Sequence, residues 1–138
     1  MAIEQALSAW RHAPWGGTTG AEDIIWIGDD WSAAVFRMVI ASDYGADPII
    51  TLTNQPEGQQ GISAAYDPDM VHPTSGAIVG GTIIRPQIDK ATLEALPDPT
   101  VESANIALVH MLYATPPGRP QRVVRSGSFT IRQGVPQE

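Results

Sequence analysis

The chain predicts an all-β fold: an antiparallel β-sandwich with one short crossing helix and an N-terminal arm. Three observations carry this. β-prone segments recur with Gly, Pro or Asp turn signals at intervals of about 8 to 12 residues. Residues 105–115 form a mainly apolar run, Pro116-Pro117-Gly118-Arg119-Pro120 breaks it, and residues 121–132 resume a run rich in Val, Ser, Phe, Thr and Ile. Such a pair reads as an antiparallel hairpin, and it is expected to be the centre of the fold. Compact helical signals within the body of the chain are confined to residues 89–97.

Taken in order, residues 2–12 place Ile3, Leu7 and Trp10 on one stripe of a short helix. So short a helix is not stable alone in water, so the stripe needs support from its own sheet or from a neighbouring subunit. Residues 13–20, Ala-Pro-Trp-Gly-Gly-Thr-Thr-Gly, form a flexible connector carrying Trp15. Two parts result: an arm with a short helix over residues 1–20 and a sandwich domain over residues 21–138. Asp23-Ile24-Ile25-Trp26-Ile27 reads as a strand, and Gly28-Asp29-Asp30 reads as a turn. Residues 31–41 form a longer strand with Phe36 and Met38 on one parity and Val35, Arg37 and Val39 on the other.

Short strands follow at 49–53 and 62–66. Residues 67–76 are the longest irregular stretch, and strand character resumes over 77–85, bent at Gly80-Gly81. Asp89 is placed to cap a helix bearing Leu93 and Leu96, which Pro97 ends. In the final hairpin the first arm is apolar on both parities, with Leu108 and Leu112 opposed by Val109, Met111 and Tyr113. That pattern predicts a strand covered on both faces, by the N-terminal segment or by another subunit. In the second arm Val123, Gly127, Phe129 and Ile131 share one parity, which Arg125 interrupts, and the opposite parity is largely polar and wet. Gly127 in mid-strand marks a bulge or a close neighbour.

At 138 residues, 43% hydrophobic and 17% charged, the chain is expected to be one globular domain. No apolar run approaches the roughly 20 residues that span a bilayer, and no basic region precedes an apolar segment at the N-terminus, so neither a membrane nor a signal peptide is expected. The absence of cysteine excludes disulfides, thiolate metal sites and thiol catalysis. A net charge of −7 argues against nucleic acid as the partner. The charge is uneven: residues 21–105 hold 13 acids against Arg37, Arg85 and Lys90, whereas from residue 106 onward four arginines face Glu138 alone. An acidic side and a basic edge are compatible with head-to-tail attraction between copies, and equally with scattered surface charge.

Catalytic and metal-binding patterns are not met. His12, His72 and His110 are too dispersed for a shared metal. Asp67-Pro68-Asp69 and Asp29-Asp30 lack the alternation and distal Glu of a calcium loop, and turn capping accounts for both. Gly16-Gly17-Thr18-Thr19-Gly20 lacks the Lys and Ser/Thr of a phosphate loop, and no Gly-x-Ser-x-Gly elbow occurs. Trp26 and Trp31 are expected in the core, and Trp10 and Trp15 at an interface, in preference to stacking on a sugar.

Several short motifs together resemble a family of small phage tail and baseplate proteins related to the N-terminal sandwich domain of baseplate upper proteins. They are Gly28-Asp29-Asp30-Trp31 entering a strand that runs to Ile40, Pro48-Ile49-Ile50-Thr51-Leu52, Gly61-Ile62-Ser63, Ala91-Thr92-Leu93-Glu94-Ala95-Leu96-Pro97, and Gly127-Ser128-Phe129-Thr130-Ile131. The resemblance spans about residues 21–135, and the 67–76 loop and the N-terminal arm depart from it. It implies an immunoglobulin-like sandwich without enzymatic activity or cofactor, a virion protein assembled in the host cytoplasm. Its implied partners are other tail or baseplate proteins and further copies of itself. Capsid decoration, a head-tail connector and a carbohydrate-binding module are the alternatives. The residues expected at interfaces are Ile3, Leu7, Trp10 and Trp15 in the arm and Arg119, Arg122, Arg125 and Arg132 in the final hairpin.

Overall fold

A computed structural model describes residues 3–10, 13–16, 23–28, 30–56, 58–96 and 106–132. Across these residues the chain forms strands β1 (Ile3–Glu4), β2 (Leu7–Trp10), β3 (Trp15–Gly16), β4 (Ile24–Ile27), β5 (Val35–Ala41), β6 (Pro48–Thr53), β7 (Gly61–Asp67) and β8 (Gly81–Ile88), helix α1 (Lys90–Glu94), and strands β9 (Ile106–Thr115) and β10 (Arg122–Arg132). They make two sheets around one core, an all-β, sandwich-like architecture with very little helix. The larger sheet runs β1 and β2, then β10, β9, β5 and β6; the smaller has β8 at its centre, with β7 on one side and β3 and β4 on the other.

The β9–β10 hairpin is the spine of the larger sheet. Its turn closes through the Arg119 N–H donating to the Pro116 carbonyl at 3.1 Å. Alternation does the sorting: Phe36, Met38 and Ile40 of β5, Leu108 and Leu112 of β9, and Phe129 and Ile131 of β10 point inward. They meet Ile62, Ile84 and Ile88 from the smaller sheet.

Register slips between Val123 and Arg125, where Val124 is the extra residue of a bulge. Arg125 faces inward by the alternation that runs on to Phe129 and Ile131, and the bulge turns Val124 inward beside it, at 1% and 0% exposure. Arg125 therefore does not interrupt the inward face as a surface group; it belongs to that face. Gly127 has the close neighbour that its position predicts. Its φ is +145°, and a Cβ there would lie 2.3 Å from the carbonyl oxygen of Gln5, whose N–H donates to the Ser126 carbonyl at 2.9 Å.

The N-terminal segment corrects the expected helix. Residues 3–10 are two strands running parallel to β10, Ile3–Glu4 beside Arg125 and Ser126, and Leu7–Trp10 beside Phe129 to Arg132. The helical spacing of Ile3, Leu7 and Trp10 coincides with a two-residue alternation in which Leu7 and Ala9 are buried while Ser8 and Trp10 are exposed. The unpaired edge of β10 decides between the two patterns, because pairing there satisfies backbone groups and buries an apolar side at once. The segment is thus built into the larger sheet, and Trp15 of β3, 4% exposed, packs edge-on against Phe129 at 5.1 Å.

Smaller differences are local. The long strand starts at Val35, because residues 31–34 make a turn with the Ala34 N–H donating to the Trp31 carbonyl. The strand expected from residue 77 starts at Gly81, and residues 67–76 are not irregular throughout, Asp67 still belonging to β7. A Val71–Ile78 bridge extends the β7–β8 hairpin, and His72 Nδ1 accepts the N–H groups of Thr74 and Ser75 at 3.1 and 3.2 Å. Asp89 holds the N-cap position with extended backbone, but its side chain makes no cap bond. Gln60 Oε1 ties the helix start down instead, accepting from the Asp89 N–H and the Thr92 hydroxyl. The expectations for His12, residues 17–20, Asp29, Pro97 and the lead-in at 98–103 fall outside the described residues.

Candidate functional site

The feature best suited to function is the outer face of the larger sheet. Period-two alternation turns Val39 of β5 and Val109, Met111 and Tyr113 of β9 away from the core, and all four are half-buried. Around this apolar strip stand uncharged polar side chains: Thr51 and Thr53 on β6, Thr115 on β9, and Ser126, Ser128 and Thr130 on β10. By the same registers, the described charged residues on the face are Glu4, Arg37 and Arg132. An apolar centre, a polar rim and few charges are the composition of a protein contact surface. The doubly apolar pattern of residues 106–115 was the sequence signal for it. One parity is covered by the smaller sheet, and the other lies uncovered by the described residues of the chain itself.

The face is not flat. Residues 42–47 rise beside it and enclose a hollow of about 230 Å³ between Val39, Ala41, Val109 and Met111 and the loop residues Asp43 and Tyr44. Tyr44 is 54% exposed at its rim. Asp43 holds the loop, its Oδ1 accepting the Tyr44 N–H at 2.8 Å and its carbonyl accepting the Ala46 N–H at 3.1 Å. At the other end of β5 the Arg37 guanidinium lies over the Tyr113 ring, 5.2 Å from its centroid.

The expected interface residues divide. Trp10 and Arg132 are cross-strand partners with the guanidinium 5.6 Å from the ring centroid, and both are exposed on this outer face. Leu7 and Trp15 are core residues of their own chain, 5% and 4% exposed, which removes them from an outward-facing arm. Arg125 is buried beside His110. Ile3 pairs through its backbone with Arg125. Arg119 lies exposed in the hairpin turn, and Arg122 covers Trp26 and Trp31 at 5.2 and 5.5 Å. Those two tryptophans stack on each other at 4.3 Å, and Trp31 is 2% exposed, so the pair is packed into the fold as expected.

A larger cleft of about 460 Å³ opens where β6 leaves the edge of β7, lined among others by Phe36, Asn54, Ile62, Ser63 and Arg85. Arg85 and Asn54 of this lining are engaged in holding the fold. Arg85 grips the Asp23 carboxylate through Nε and NH2 at 2.7 to 3.1 Å. Asn54 accepts the Phe36 N–H and donates to the Ala34 carbonyl. The paired acids do turn work: Asp30 Oδ1 accepts from the Ser32 N–H and hydroxyl, and Asp67 Oδ1 accepts the Asp69 N–H. Among the described residues no three acidic or histidine side chains group as metal ligands.

His110 is sealed in the core at 1% exposure, its ring 6.2 Å from that of Phe129. Burial, and secondarily the charge of Arg125, pull its pKa down from 6.5 to about 4, against the opposing influence of the Ser128 and Gly127 backbone. It is therefore a neutral core group at neutral pH. No protein-family model and no curated protein sequence matches this chain.

Proposed function

We propose that this chain is a structural subunit of a phage tail or baseplate, an immunoglobulin-like sandwich that braces its neighbours by contact and performs no reaction. The observation carrying this is the broad, charge-poor, apolar-centred outer face of the β5–β9–β10 sheet. A rigid double-sheet body presenting such a face is suited to being held between other subunits. The two-sheet architecture is consistent with the motif resemblance, and the stack of half-buried Trp26 on buried Trp31 under Arg122 weighs against a sugar platform there.

Contact is made by this preformed face together with Trp10 and Arg132, with the N-terminal strands held in the sheet. Immunogold labelling and mass spectrometry of purified particles from an induced host test the proposal. Label at the tail tip is the expected result. Label on the head or neck would replace it with the decoration or connector reading, and absence from purified particles would end both.

A further inference from the structure

The partner of the outer sheet face is, we infer, a second copy of the same chain, bound face to face about a two-fold axis. This deepens the contact role proposed above and rests on it only for its setting. The arrangement of charge points to self-pairing. Arg37 and Asp43 lie three residues to either side of Ile40, one at each end of the apolar strip. An axis in the plane of the face, perpendicular to β5 and β9 and crossing them at the level of Ile40 and His110, reverses the strip on itself, because those two residues are register partners.

That operation brings Arg37 of each copy to Asp43 of the other, twice over. It also sets Val39 against the partner's Ala41, and Met111 against the partner's Val109. Tyr44, standing 54% exposed at the rim, is carried to the partner's Arg37–Tyr113 stack.

The rest of the surface favours the same occupant. A chain of net charge −7 repels its own copies over most of its area. On this face the described acids are Glu4 and Asp43, and the two-fold sets each Asp43 against the partner's Arg37, so two copies approach here with little repulsion. The four central strands span roughly 20 Å by 20 Å at ordinary strand spacings. That is a small interface, and it implies reversible, concentration-dependent pairing.

Sedimentation velocity over a concentration series from low micromolar to submillimolar tests this on the full chain. The wild type is expected to show a reversible monomer–dimer equilibrium. Met111→Asp should weaken it by roughly 30- to 100-fold, with the far-ultraviolet circular dichroism and thermal midpoint showing that the fold persists. Arg37→Asp and Asp43→Arg should each weaken it by about tenfold, and the double reversal should return it to within about threefold of wild type. A wild type that stays monomeric, a dimer indifferent to Met111→Asp, a double reversal no better than the singles, or a ring or filament in place of a dimer would each overturn the inference. Dimers formed by a protein absent from purified particles would refute the tail role and leave the pairing intact.

Discussion

His110 makes folding depend on pH. Its folded pKa of about 4 lies below the ordinary value of 6.5, so between these values the unfolded chain binds the extra proton. The contribution is fully present above about pH 6.5 and is lost as pH falls toward 4, where both states become protonated. The full effect is on the order of 3 kcal/mol, at about 1.4 kcal/mol per unit of displacement. Urea unfolding of wild type across pH 4 to 7, compared with His110→Leu, should show a slope in the wild type that the variant lacks. Gly127 is the other sensitive position. Gly127→Ala puts a methyl against the Gln5 carbonyl at a φ of +145°, and a loss of about 1–3 kcal/mol is expected in the same assay. Gly127 was legible as one of two things, a bulge or a close neighbour, and the Gln5 backbone against it decides for the neighbour. The burial of Arg125 was only half legible: alternation sets it on the parity of Phe129 and Ile131, but whether a charged group there is covered depends on what packs over it.

Among the elements, the N-terminal strands carry the largest departure from expectation and the sharpest test. With Leu7 and Ala9 buried and β2 paired along β10, the segment is structural in the isolated subunit. Leu7→Ala should cost about 2–4 kcal/mol. Native-state hydrogen exchange should show the amides of residues 7–10 that bond to β10 protected together with that strand. Exchange at the rate of an unstructured peptide would instead show the segment to be free in the isolated subunit. Over so short a segment, helical and alternating patterns share the same residues, and local propensity cannot separate them. The β9–β10 hairpin posed no such ambiguity, because two long β-prone runs around a Pro-Pro-Gly turn have one compact solution.

At the scale of the molecule, the two faces of the larger sheet divide the work. The inner face holds the fold together, and the outer one is charge-poor and partly apolar, the property on which both the proposed tail role and the proposed pairing of copies rest. The all-β class, the hairpin at its centre and the short helix were legible in the amino-acid order, because alternation and turn chemistry act over a few residues. Tertiary structure alone decided that Ile3–Glu4 and Leu7–Trp10 become strands, that Arg125 is covered, and that Arg37 and Asp43 end up at opposite ends of one open face. Each of these depends on which distant strand supplies the hydrogen bonds and the cover, and that is settled only when the two sheets close on a shared core.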